Sequence, residues 1–215
     1  MFPLAYLAWK GRNRRGPISI SVLRGEDRFF TFRRGGAVIN TIRFSSAFFG
    51  KGQFTASTMT HRGSSFELTQ DMDAGYYQPF SPPRKISSEN FDSTRHERER
   101  TEVCQMRYKA TVTETPDGAK VRIEASGTGD VPVTIEINLR EGGTITGAEK
   151  LGSPRDAWLL KDGFASYTLG GETLKTGPGA APHTYLDVRG ASPRLDGPSL
   201  FIRGFTPFDH TIEID

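Results

Sequence analysis

The stretch GPGAAPHTYLDV, residues 177–188, places His183 and Tyr185 two positions apart at the end of a Gly/Pro-rich run. If the chain continues as a strand from there, a spacing of two puts both rings on one face of a sheet, within reach of the same group of a bound molecule. Both side chains are proton handlers. The reaction that suits such a pair is β-elimination at a uronic acid. In that reaction a base takes the proton α to the carboxylate while a cation neutralises the carboxylate. In this reading His183 is the proton acceptor or a metal ligand, Tyr185 is the acid/base, and Arg203 orients the carboxylate, with Arg189 as a further cation on the substrate. The plainer alternative is a loop histidine bonded to backbone beside a half-buried tyrosine.

Rings for stacking on sugars are available elsewhere. Tyr76, Tyr77 and Phe80 fall in one irregular stretch, and Trp158 stands near the start of a strand. Metal and cofactor signals are weaker. His61, His96, His183 and His210 lie far apart, with no pair at the spacing of a common site. The single Cys104 excludes an internal disulfide and a cysteine-based cluster. No cofactor is therefore expected, and a divalent metal has no motif to support it.

Two other motifs lead away from nucleotides. SSAFFGKGQF (45–54) holds a Gly-Lys-Gly, but the lysine is not followed by the Ser or Thr of a phosphate loop, Gln53 comes after the GKG, and the next residues alternate as a strand. A hairpin turn is the expectation. RGEDRFFTFRR mixes basic and aromatic residues, yet the core motif and crossing helices of an RNA-recognition module are missing, so no nucleic-acid partner is expected. The acids and bases around His96 in HERER read as an exposed ion-pair run.

The elements that must position these residues are strands. Alternating runs occur at 18–22, 28–33, 37–46, 53–59 and 65–72, separated by short turns rich in Gly or charge. After a long irregular connection they resume at 102–114, 119–126 and 131–140, where Val133, Ile135, Ile137 and Leu139 share one face and Thr134, Glu136, Asn138 and Arg140 the other. Shorter strands are expected at 157–161, 164–169, 172–175, 184–188, 199–205 and 210–214, with no amphipathic helix. The class is all-β, a large antiparallel β-sandwich or two stacked sandwich halves, with few or no helices. The expected organisation is a β-meander over 1–75, a connecting loop over 76–101 that separates two sheets or subdomains, and a sandwich over 102–215. The alternative is one continuous domain over 1–215.

Charge is unevenly spread. Residues 1–52 hold ten Lys/Arg against Glu26 and Asp27, whereas the whole chain has 28 Lys/Arg against 25 Asp/Glu. A basic N-terminal third suits an anionic partner. The start, MFPLAYLAWKGRNRRGP, is apolar then basic, the reverse of a secretory signal, and too short to span a bilayer. Phe2, Leu4, Tyr6, Leu7 and Trp9 need something to pack against, as in a piece of a longer exported protein.

VPVTIEINLREGGTITG, AWLLKDGFASYTLGGETLKTGPGAAPHTY and GPSLFIRGFTPFDHTIEID together resemble the C-terminal β-sandwich region of heparinase II/III-like polysaccharide lyases and their uncharacterised relatives. The resemblance lies in strand-turn rhythm, the LKDG turn and the closing strand. It implies an acidic polysaccharide or a helical toroid domain of the same parent protein as partner, and a periplasmic or extracellular location. It also implies a carbohydrate-associated role, since the toroid supplies much of the catalytic machinery in that class and this chain has none. The alternatives are a self-contained β-elimination lyase and a purely structural or protein-interaction sandwich.

Overall fold

The structure, a computed structural model, describes residues 10–152 and 156–215. The apolar start at Phe2–Trp9 lies outside the described residues. Two eight-stranded sheets account for nearly all regular structure. The first has the order β1 (Lys10–Arg15), β2 (Ile18–Leu23), β3 (Phe30–Arg34), β4 (Ala37–Ser46), β9 (Pro132–Leu139), β15 (Ser199–Phe205), β12 (Ala157–Leu159), β11 (Glu149–Lys150). The second runs β10 (Thr144–Thr146), β13 (Ala165–Leu169), β14 (Glu172–Gly177), β16 (Phe208–Ile214), β8 (Gly118–Gly127), β7 (Arg100–Thr115), β6 (Ser65–Tyr77), β5 (Thr58–Arg62). All neighbours are antiparallel except β12 and β15. The fold is an all-β sandwich, and its only helical elements among the described residues are two short 3-10 turns, Ser88–Asn90 and Arg95–Glu97.

Period-two patterning explains the packing. In β9, Val133, Ile135, Ile137 and Leu139 point into the core between the sheets and are fully buried. Phe29, Phe44, Phe54 and Tyr108 form the aromatic centre, with Phe44 stacked on Phe54 at 4.4 Å and set edge-on to Tyr108 at 5.2 Å. Tyr108 reaches across from the second sheet. Its hydroxyl donates to the Gly52 carbonyl at 2.9 Å and accepts from the Ser46 hydroxyl, so one core residue props the turn that follows β4. Burial pushes its pKa up to about 12.

Three features differ from the sequence reading. The 78–99 connection does not separate two sheets: it joins β6 to β7, which pair with each other along most of their length. Residues 53–57 form no strand beyond the isolated pairing of Gln53 with Ser45, and the next strand starts at Thr58. Residues 184–188 are not a strand either. They belong to an irregular strap, 178–198, that crosses the outer face of the first sheet. The strap is why the polar face of β9 is not solvated: Thr134, Glu136 and Asn138 are buried beneath it. Apolar/polar alternation marks two faces but cannot say what covers the polar one.

Candidate functional site

The strap is fastened by side chains of the sheet bonding to its backbone. Arg43 donates to the Pro193 carbonyl at 2.6 Å, Asn138 to the Asp196 carbonyl at 2.9 Å, and Thr134 to the Tyr185 carbonyl at 3.3 Å. Arg43 also pairs with Glu136 at 2.6 Å and Asp27 at 3.1 Å. A loop without its own ladder needs such partners when it is buried.

His183, Tyr185 and Arg203 meet here. The rings of His183 and Tyr185 are 5.6 Å apart, and Arg203 donates from Nη1 to the His183 carbonyl at 2.5 Å. They meet without a shared strand face: His183 is 8% exposed and Tyr185 56%. His183 donates from Nε2 to the Val133 carbonyl at 3.0 Å, which leaves Nδ1 as the acceptor, and Nδ1 is buried without a partner. Burial pushes its pKa below the ordinary value, opposed by the bond to Val133 and reinforced by the charge on Arg203. Arg203 is 3% exposed, has a buried Nε without a partner, and is itself shifted down by burial. A base with both nitrogens turned into the protein has no path to a substrate proton in this arrangement. His183 and Arg203 join the strap to the sheet.

A second region is open. Where the hairpin β6–β7 extends past the sandwich, a cleft of about 350 Å³ is lined by Phe49, Tyr76, Tyr77 and Phe91 on one hand and by Lys51, Arg95, Arg98, Arg100 and Arg189 on the other. Among the described residues no Asp or Glu lines it. Four segments build it: the turn after β4, the end of β6, the 78–99 connection with the start of β7, and the strap.

Each segment is placed by a local device. Pairing between β6 and β7 slips at Gly75, opposite Glu102, whose φ is 48°. The bulge bends the hairpin and aims the adjacent tyrosines. A Cβ on Gly75 would lie 2.9 Å from both Arg100 Cγ and the Thr101 carbonyl oxygen, so only glycine fits. The connection has almost no buried residue and is held instead by guanidinium-ring contacts: Arg98 lies 4.6 Å from the Phe91 centroid and 5.4 Å from that of Tyr77, and Arg95 lies 5.2 Å from Tyr77. Phe49 sits in the left-handed region at φ 47° and sets its ring edge-on to Tyr76 at 5.2 Å.

Charge in the cleft is incompletely balanced. Arg100 pairs with Asp73 at 3.2 Å and Arg95 with Asp92 at 3.2 Å. Lys51, Arg98 and Arg189 have no carboxylate partner among the described residues, and the Nε of Arg98 is buried without a hydrogen bond. Of the four residues expected to bind substrate, Tyr76, Tyr77 and Arg189 share this cleft. Trp158 does not line it; it sits in β12 with Lys150 Nζ 4.9 Å from its ring centroid. Lys51, Arg95 and Arg98 carry no motif, but the interleaving of aromatic and arginine residues from Tyr76 to Arg100 was a signal in plain view.

Among the described residues no group of three or more His, Cys, Asp or Glu is placed to hold a metal ion, and no helix is long and apolar enough to cross a membrane. No protein-family model, curated protein or solved structure matches the chain.

Proposed function

We propose that the protein is a carbohydrate-associated β-sandwich that binds acidic polysaccharide in the cationic, ring-lined cleft, in the manner of a sandwich domain that accompanies a polysaccharide lyase. No bond-breaking step is assigned to it. The observation that carries this reading is the coincidence of Lys51, Arg98 and Arg189, which among the described residues have no carboxylate partner, with the exposed rings of Tyr76 and Phe91 in one cleft that no described Asp or Glu lines. Planar guanidinium forks match carboxylate and sulfate oxygens two at a time, and aromatic faces take the apolar faces of sugar rings. A cleft of about 350 Å³ takes a short run of sugars and leaves the rest of a chain in solvent. The lyase association rests on the strand rhythm of residues 131–215. The burial of His183 and Arg203 favours the binding reading over a self-contained lyase.

Calorimetric titration with galacturonate and alginate oligomers, beside uncharged oligomers of the same length, tests the reading. Binding of the acidic series alone, weakening steeply as salt is raised, is expected. Equal affinity for the uncharged series would remove the electrostatic basis of the reading.

A further inference from the structure

We infer that Gln53 is a positioning residue for the cleft: it fixes the tip of the strap so that Arg189 stands beside Lys51. The side chain bridges two segments, Nε2 donating to the Phe44 carbonyl at 3.0 Å and Oε1 accepting the Ser192 amide at 2.8 Å. A turn closed by the Ala191 amide on the Val188 carbonyl at 3.0 Å brings Arg189 and Gly190 to the tip. There the two segments touch backbone to backbone. A Cβ on Gly190, whose φ is +92°, would lie 2.5 Å from the Gly50 carbonyl carbon and 2.8 Å from the Lys51 nitrogen. Arg43 and Glu136 secure the next residues of the strap, the latter accepting the Leu195 amide at 3.3 Å.

An arginine on a free loop must be ordered when it binds, and that ordering lowers affinity. Anchoring the strap through Gln53 supplies the order beforehand. By reciprocity, whatever Arg189 holds strengthens the docked strap. The inference rests on the glycan reading only for its affinity measurements, since the anchoring can be read without ligand.

Arg43→Ala leaves Glu136 unpaired beneath the strap and threatens the fold, so Gln53→Ala and Gly190→Ala carry the test. In ligand-free protein, hydrogen exchange of the amides of residues 189–192 is expected to quicken in both variants while β9 and β15 stay protected. With a galacturonate hexamer as probe, Gln53→Ala is expected to raise Kd by about threefold to tenfold, as Arg189→Ala does, and to lower the slope of log Kd against log salt by about one. The combination Gln53→Ala/Arg189→Ala is expected to be no worse than either single change. A merely structural role would add a further loss in the combination. Additive losses, or exchange at 189–192 unchanged by Gln53→Ala, would overturn the inference. A hexamer that fails to bind the unaltered protein removes the glycan reading, and the exchange measurement then decides the anchoring alone.

Discussion

Under the strap, Arg43 and Arg203 lie 4% and 3% exposed and are spent on carboxylates and carbonyls of the protein itself. In the cleft, Lys51, Arg98 and Arg189 face solvent and rings with no carboxylate among the described residues to balance them. The same residue type thus does two jobs. Burial in the first region makes each cation a structural joint, because an unpaired charge there is costly. Openness in the second makes each cation available, because exposed charge is cheap to maintain and contributes little to stability. Function is therefore sought where charge is left over, not where titratable groups are most perturbed.

The contrast can be broken first at Arg43. Arg43→Ala strands Glu136 and is expected to lower unfolding free energy by about 3–5 kcal/mol, read by urea denaturation. A cleft substitution such as Lys51→Ala should stay within about 0.5 kcal/mol of the unaltered protein. Equal losses at the two positions would erase the distinction.

Tyr108 gives the next effect. Tyr108→Phe leaves the Gly52 carbonyl and the Ser46 hydroxyl short of a partner in the core, with an expected cost of about 1–3 kcal/mol. Its pKa in the folded state is about 12, above the value of 10.0 for a free tyrosine. The raised value means that the folded state keeps its proton longer. Stability is accordingly full below pH 10.0 and falls as pH rises toward 12. Alkaline melting curves should show a smaller loss over that interval in Tyr108→Phe.

A smaller effect is expected at His183, where burial holds the folded pKa below the ordinary 6.5. The unfolded chain then takes the proton first, so stability is full above pH 6.5 and declines as pH falls below it. Thermal melting at pH 7.5 and 5.0 should show a larger drop for the unaltered protein than for His183→Phe. An identical drop would mean that the ring reaches solvent.

Much of this architecture is legible in the residues. The alternation in 37–46 and 131–140 marks β4 and β9, and the turns at 35–36 and 116–118 mark hairpins, because period two and glycine punctuation are local signals. His183 and Tyr185 come together as their spacing suggests, yet on a strap and not a strand. The run TYLDV has the alternation of a strand but lies across the face of β9, whose two edges are already taken by β4 and β15. The cleft is not legible locally. Its lining comes from positions as distant as Lys51, Tyr76, Arg98 and Arg189, joined by a bulge at Gly75 and a glycine contact between Gly50 and Gly190. Nothing local in a sequence reports a contact of that separation.

The most direct test removes the surplus charge and leaves the anchors of the strap intact. Retention on immobilised polygalacturonate would be compared for the unaltered protein and Lys51→Ala/Arg98→Ala/Arg189→Ala at matched salt, with folding of both verified by melting. A cleft that binds acidic glycan through these three cations predicts an affinity lower by about a hundredfold in the triple variant. Equal retention of the two proteins would contradict the assignment of glycan binding to the cleft.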